Sequence, residues 1–318
     1  MNTENDINKY PTVTIILCTH KFVKYAEQQI ISIKKQINVN INLVISIDSN
    51  NKDTIENWLK LIQRYFDKKN FKIVKGPQNG FSSNFISTLI NLNLHTESNY
   101  VAFSDHDDLW DSNKLSNAIK HIETFNDLDL PVLYGSRTKY IDKNNKFLTY
   151  STNMKKPLTL KNALVQCFAG GNTMVFNLKL FAILKEIGFV EVKSHDWWVY
   201  IVASAVNGKI IYDKNSYTSY RQHEENISGG NKGLNNALIR IKGLINGDFR
   251  TWNKKNLRFL IENKELFDSE NIKIIENFIK IQDGNFLERF FYFFKVGIYR
   301  QNLLGNIAIF IFALLKKI

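Results

Sequence analysis

Tyr100-Val-Ala-Phe-Ser-Asp-His-Asp-Asp-Leu-Trp110 joins a short apolar run to three carboxylates within eleven residues. The run reads as a buried strand, and the charged residues follow where it ends. The same layout recurs upstream. Val13-Thr-Ile-Ile-Leu-Cys18 after Pro11, Ile41–Ile47 and Phe71–Val74 are β-rich runs that predict three earlier strands. Between them, Ile30, Ile33 and Ile37 keep helical spacing around 27–36. So do Ile55, Leu59, Ile62 and Phe66 over 54–66, with Asp53 as the expected cap, and the run Ser82–Leu92. Four strands separated by helices imply βαβ units, hence an α/β fold with a Rossmann-like, mostly parallel sheet and helices on both faces. Ligands of such sheets bind beyond the carboxyl ends of the strands. Thr19-His20, Asp48 and the Asp105 cluster therefore fall along one rim, although they are far apart in sequence.

The second half is less regular. Leu133-Tyr-Gly-Ser-Arg137, Thr173-Met-Val-Phe176, Lys209-Ile-Ile-Tyr212 and Tyr217–Arg221 predict strands, and Trp197–Val206 a helix. From about Leu234 only helical periods appear: Leu238/Ile241/Leu244/Ile245, Leu257/Leu260/Ile261 and Ile272/Ile275/Phe278/Ile279. Ser228-Gly-Gly-Asn-Lys-Gly233 reads as a linker. It divides the chain into a first domain at 1–230 and an all-helical C-terminal extension at 231–318.

The 318 residues are 44% hydrophobic and 23% charged, a globular composition that excludes wholesale disorder. Two cysteines, Cys18 and Cys167, with no CxxC exclude a disulfide scaffold and a cysteine zinc site. No P-loop, GxGxxG or GxSxG is present. The first residues lack the basic-then-apolar layout of a secretory leader, and no run reaches roughly 20 apolar residues, so a cytoplasmic chain is expected. Net charge is +12, of which 226–318 contributes +7. Such a balance suits a polyanionic partner: nucleic acid, a phosphorylated small molecule or an anionic membrane face.

Three clusters could carry chemistry. In Asp105-His106-Asp107-Asp108, neighbouring carboxylates repel unless a cation is present. Oxygen ligands suit a hard ion, Mg²⁺ or Mn²⁺, with positions open for phosphates. A solvated capping loop is the plainer alternative. In His195-Asp196-Trp197-Trp198, the acid at a helix start serves as a cap. Two tryptophans beside it would also desolvate it into a general base. In Tyr220-Arg221-Gln222-His223, the guanidinium offers a phosphate fork and the imidazole a metal ligand.

From about Thr12 to Gly229 these segments, in this order, resemble the inverting nucleotide-sugar glycosyltransferases of family 2, with their GT-A type fold. Val13–Thr19 is similar to the first strand and its nucleotide-contacting Thr19. Glu27-Gln28, Ser32-Ile33 and Gln36 resemble the first helix, and Ile45–Asp48 resembles the base-contacting strand. Asn79-Gly-Phe-Ser-Ser-Asn84 resembles the turn and helix that approach the donor. Ser104–Trp110 is similar to the metal motif of the rhamnosyltransferase-like branch, with His106 where that branch usually has Gln. Phe168-Ala-Gly-Gly-Asn-Thr-Met-Val-Phe-Asn177 resembles the segment lining donor sugar and acceptor. His195–Trp198 resembles the catalytic-base motif, and Tyr220–His223 with Asn226 the closing metal- and diphosphate-binding segment. One departure is clear. The second strand ends Ile47-Asp48-Ser49-Asn50, without the family's second Asp and turn glycine.

The resemblance implies a metal-dependent inverting glycosyltransferase whose catalytic domain is 1–230, with nucleotide-sugar binding in its first half and the acceptor side in its second. Its donor would be dTDP-L-rhamnose, otherwise a UDP-hexose, and its acceptor a growing lipid-linked cell-surface polysaccharide. It implies Asp196 as base, and Asp105, Asp107 and His223 around Mg²⁺ or Mn²⁺. Thr19, Asp48, Asn84, Ser104, Asp105, Gly170, Gly171 and Arg221 would contact the donor. Two other readings remain: a nucleotidyltransferase, although Cys18-Thr-His-Lys-Phe22 lacks that signature, and a non-catalytic basic protein. Aromatic residues gather in apolar runs rather than between basic residues, so no nucleic-acid partner is expected. The tail Phe286–Ile318 sets Arg289, Lys295, Arg300, Lys316 and Lys317 among aromatic and aliphatic residues. That pattern predicts helices lying on the anionic inner face of the plasma membrane. Packing on the catalytic domain or on a second subunit is the alternative.

Overall fold

The computed structural model describes residues 10–94, 97–125, 130–223, 243 and 246–318. The four expected strands form as β1 (Thr12–Thr19), β2 (Asn40–Ile47), β3 (Phe71–Lys75) and β4 (Ser98–Ser104), paired in parallel in the order β3-β2-β1-β4. Beyond β4 the sheet continues through β8 (Val175–Asn177), β6 (Val132–Ile141), β9 (Lys209–Arg221) and β5 (Leu109–Trp110), and β7 (Phe147–Tyr150) pairs with β6. This continuation is mixed. β8 runs antiparallel to both β4 and β6, whereas β6 and β9 are parallel.

Alternation along β1 sorts its side chains into two cores. Val13, Ile15 and Leu17 join Leu43, Ile45 and Ala102 beneath α1 (Ala26–Lys34), α2 (Lys52–Gln63) and α4 (Lys114–Glu123). Ile16 and Cys18 join Val101 and Phe103 on the opposite face, under α3 (Gly80–Ile90), α6 (Leu178–Ile187) and α7 (His195–Ala205). A short helix, α5 (Leu160–Ala163), packs against α7. Each such fully buried aliphatic side chain stabilises the fold by roughly 1.5–3 kcal/mol.

The tail comprises α8 (Asp248–Glu262), α9 (Ser269–Asp283), α10 (Phe286–Val296) and α11 (Leu303–Leu314). Phe249, Leu260, Phe278, Val296 and Ala313 belong to the same continuous core as Phe103 and Trp198. The C-terminal helices thus pack on the sheet's α7 side. The linker Ser228–Gly233, the boundary at 230, Asn226 and the periods from Leu238 to Ile245 lie outside the described residues.

Three local expectations are corrected. Lys209–Tyr212 and Tyr217–Arg221 are one strand. The Asp213–Ser216 interruption is absorbed as a register shift opposite Ser136/Thr138, with Asn215 N donating to Asp213 Oδ1. Asn51, not Asp53, caps α2, its Oδ1 accepting from Thr54 N at 2.9 Å. Gly171–Thr173 forms a 3₁₀ turn, so the following strand starts only at Val175.

Candidate active site

In the parallel register Thr19 lies opposite Ile47, and Leu17 opposite Ser104, so β1, β2 and β4 end together. A cleft of about 960 Å³ opens at this edge. Thr19, Asp48, Asn84, Asp105, Asp107, Gly170, Gly171, Asp196 and His223 all line it. The topology therefore gathers residues spread over some two hundred positions.

On the nucleotide side, Asp48 N donates to Thr19 O at 2.7 Å, which ties the two strand ends together. The Thr19 hydroxyl donates to Lys21 O (2.7 Å). Asp48 Oδ1 accepts from Gln78 N. Asn84, buried on α3, exchanges hydrogen bonds with Ser46. A Cβ at Gly76 would lie 2.6 Å from Asp48 Oδ1 and 2.7 Å from Asn84 Oδ1. The glycine missing after Asp48 thus has a counterpart from β3's end, which only the folded chain reveals.

Asp196 sits in the first turn of α7. Its Oδ2 accepts from Gly171 N at 3.0 Å, and its Oδ1 from Trp197 N at 2.7 Å and from the Ser194 hydroxyl. Three donors thus hold the carboxylate in one orientation. Gly171 is required for this approach, because an added Cβ would stand 2.4 Å from His195 Nε2. The tryptophans take other places. Trp197 Nε1 donates to Ala163 O and its ring stacks on Phe249, while Trp198 is buried in the core. His195 is wedged face to face with Phe85, ring centroids 3.9 Å apart, and edge-on to Phe103. Among the described residues neither ring nitrogen has a hydrogen-bond partner, and burial pushes its pKa down to about 4.

The three aspartates of the 105–108 cluster divide by environment. Asp105, partly accessible from the cleft, has its pKa pushed up to about 7, first by burial, then by the charges of Asp107 and Asp196. Asp107 Oδ2 lies 2.7 Å from His223 Nε2. Asp108 faces inward. It accepts from Asn172 Nδ2 (2.5 Å) and Arg221 N (3.3 Å), and burial with the neighbouring carboxylates pushes its carboxyl well up. Beneath it, Lys114 Nζ sits 3.4 Å over the Trp110 ring.

Two residues expected to contact the donor are buried and do not line the cleft. Ser104 is fully buried behind the cleft, accepting from Gln29 Nε2 at 2.8 Å and donating to Asp105 O at 2.9 Å. Arg221 is likewise fully buried and does not line the cleft. Its Nε donates to Asp107 O (3.0 Å), its Nη2 to Gln28 Oε1 (2.8 Å) and its Nη1 to Asn145, with the Tyr25 ring 4.2 Å away. Paired with Ile141 of β6, Arg221 sends its side chain beneath the cleft, where the bond to Asp107 O fixes the Asp107 backbone. The expected three-ligand set is also not gathered. Among the described residues no group of three or more His, Cys, Asp and Glu side chains is close enough to hold a metal, and only Asp107 and His223 meet. A carboxylate paired with an imidazole, beside a second carboxylate whose ionisation is suppressed by burial and like charge, still fits a hard divalent ion whose other ligands are phosphate and water.

The sequence reading missed four lining residues of the tail: Phe249, Trp252, Arg300 and Asn302. Their only signal was aromatic and basic composition beyond the recognisable motifs.

The profile of Glycosyl transferase family 2 matches residues 14–188, more than half of the chain. The chain belongs to glycosyl transferase family 2. Within this family it is similar to the dTDP-rhamnosyl transferase RfbG of Shigella flexneri. The two are 26% identical over 236 residues, which cover 72% of this chain and 78% of that protein. Among solved structures it is similar to S. aureus TarS 1-349 in complex with UDP-GlcNAc, at TM-score 0.50 and 18% identity, covering 78% of this chain and 71% of that one. The structure of TarS 1-349 alone aligns at TM-score 0.49 and 18% identity, over 66% of this chain and 60% of that one. The family 2 chain thus has a GT-A type fold and is a glycosyltransferase.

Proposed function

We propose that this family 2 enzyme transfers L-rhamnose from dTDP-rhamnose, or failing that a hexose from a UDP-sugar, with inversion, onto a growing lipid-linked cell-surface polysaccharide. The observation that carries the reading is that Asp196, oriented by Gly171 N–H, lines the same cleft at the strand ends as the Asp107–His223 pair. The similarity to a dTDP-rhamnosyl transferase supports the donor choice.

Thr19 and Asp48 hold the nucleoside beside Asn84, and Gly76 leaves room for Asp48 and Asn84 to approach each other. Gly170 and Gly171 line the part of the cleft beside Asp196 where the donor sugar would lie. Asp196 takes the proton from the acceptor hydroxyl, whose oxygen attacks the anomeric carbon opposite the departing diphosphate. Asp107 and His223, with Asp105 adjacent, would hold Mg²⁺ or Mn²⁺. When bound, such an ion supplies Lewis-acid stabilisation of the leaving diphosphate. Ser104 and Arg221 act from behind, the first on Asp105 and the second on Asp107. The remaining partner in this reading is the anionic cytoplasmic face of the plasma membrane, where a lipid-linked acceptor resides.

Calorimetric titration of dTDP and UDP with and without Mn²⁺, followed by product analysis with dTDP-rhamnose, tests the proposal. Metal-dependent dTDP binding with rhamnosyl transfer is expected. Binding of neither nucleotide in the presence of Mn²⁺ would refute it.

A further inference from the structure

No helix among the described residues is long and apolar enough to cross a membrane. Yet half of the exposed large hydrophobic side chains among the described residues fall in the last 33 positions. On α10 these are Phe286, Leu287, Phe290, Phe291 and Phe294, at i, i+1, i+4, i+5 and i+8, which is one stripe of a helix. On α11 and its end they are Leu303, Leu304, Ile307, Ile311 and Leu315, again one stripe. The opposite faces are anchored: Phe293, Val296, Ile309 and Ala313 enter the common core. Phe310 packs against Phe290, Phe293 and Phe294, with centroids 5.0–6.2 Å apart, so the two stripes form one surface. Leu287 and Leu304 are 76% and 79% exposed, well beyond a scatter of single surface residues.

The charge around this surface says what covers it. Residues 286–318 carry five basic side chains and one acidic, Glu288, which is drawn into the capping box at the start of α10. Basic groups bracket both ends. At the turn, Lys156 Nζ donates to Arg300 O, setting two basic side chains together. At the far end, Arg289 caps α11 at Leu314 O beside Lys316 and Lys317. A second copy would bring two such collars together, with like charge against like charge. An anionic lipid surface complements them, while the stripes, about 11 and 12 residues long, lie in the headgroup region rather than spanning it.

We infer that α10 and α11 form a monotopic hairpin that docks on anionic bilayers. Its turn, through Arg300 and Asn302, lines the same cleft as Asp196, so docking sets the acceptor end of that cleft at the lipid surface. This rests on the lipid-linked acceptor proposed above only for its purpose, not for the docking itself.

The test is flotation of the full-length protein with phosphatidylglycerol-containing and with pure phosphatidylcholine vesicles, at low and high salt. The wild type is expected to float with the anionic vesicles and to be released by salt. The triple variant Leu287→Asp/Phe291→Asp/Leu304→Asp, changed only at exposed positions, should keep its thermal midpoint. Its vesicle-bound fraction should fall by about tenfold or more, the worth of losing several buried apolar groups. Lys316→Glu/Lys317→Glu should weaken flotation and flatten its salt dependence. Asp196→Asn should float like the wild type, which separates docking from the transfer reaction. Wild-type protein staying in the soluble fraction at low salt would overturn the inference. So would equal binding to neutral vesicles, or a concentration-dependent dimer in light scattering that the triple variant abolishes.

Discussion

Gly171→Ala adds one methyl group where Asp196 and His195 meet. The backbone at Gly171 has no left-handed φ, so alanine is conformationally acceptable there, and the obstacle is space. The new Cβ would lie 2.4 Å from His195 Nε2, 3.2 Å from its Cε1 and 3.3 Å from Asp196 Cβ. The imidazole cannot yield easily, because Phe85 stacks on its face and Phe103 closes its edge. The Gly171 turn must therefore move away from α7, stretching the 3.0 Å hydrogen bond to Asp196 Oδ2. Overpacking of this kind costs about 1–3 kcal/mol of stability. A hydrogen bond to a charged group is worth roughly 1.5–3 kcal/mol, which corresponds to about 10- to 100-fold in rate if it orients the base in the transition state. Steady-state turnover with saturating donor, alongside calorimetric donor binding, separates the two effects. Turnover should drop while nucleotide affinity stays near wild type. Gly171→Ala/His195→Ala should recover part of the lost turnover, since the clash is with the ring, giving a non-additive double-mutant cycle. A folded Gly171→Ala enzyme turning over within twofold of wild type would refute the orienting role of this contact.

Other expectations follow from the same geometry. Asp196→Asn should cut turnover by about 10²–10⁴-fold with nucleotide affinity retained, read by initial rates and calorimetry. Asp107→Ala should weaken Mn²⁺ and nucleotide binding together, whereas Arg221→Met should raise the Mn²⁺ concentration needed for half-maximal rate by loosening the Asp107 backbone; an unchanged Mn²⁺ requirement would count against that support. For His195, the folded pKa near 4 lies below the unfolded value of about 6.5. Its contribution to stability is therefore full above about pH 6.5 and is lost as pH falls toward 4, by up to about 3 kcal/mol. Thermal melts of wild type and His195→Gln between pH 7 and 4.5 should show a shallower acid decline in the variant.

The parallel half of the sheet was legible because each strand is a short apolar run covered on both faces, and β1 shows this best. The rim residues Thr19, Asp48 and Asp105 were legible because strand ends are marked by a change from apolar to polar residues. Arg221 was not. An arginine two residues before a histidine at a strand end looks the same in sequence whether its guanidinium faces solvent or the sheet. That depends on Gln28, Asn145 and Tyr25, which are distant in sequence. The Asp105–Asp108 cluster was visible as a unit, but its division into cleft-facing and buried carboxylates depends on Asn172 and on α4 below it. Trp252 escaped for the same reason, since nothing local distinguishes a residue that meets the cleft from one that does not.

The common core of the α7 side and the C-terminal helices bears on how such enzymes can be re-engineered. Exchanging tails between relatives is an obvious route to altered acceptor choice, because Phe249, Trp252, Arg300 and Asn302 reach the cleft from that region. Here the tail is no cassette. Phe249 rests on Trp197 next to the base, and Leu260, Phe278 and Val296 share one apolar interior with Trp198 and Phe103. A graft cut at the chain boundary would leave that interior mismatched on both sides, so a working chimera has to carry the α7 residues along with the tail.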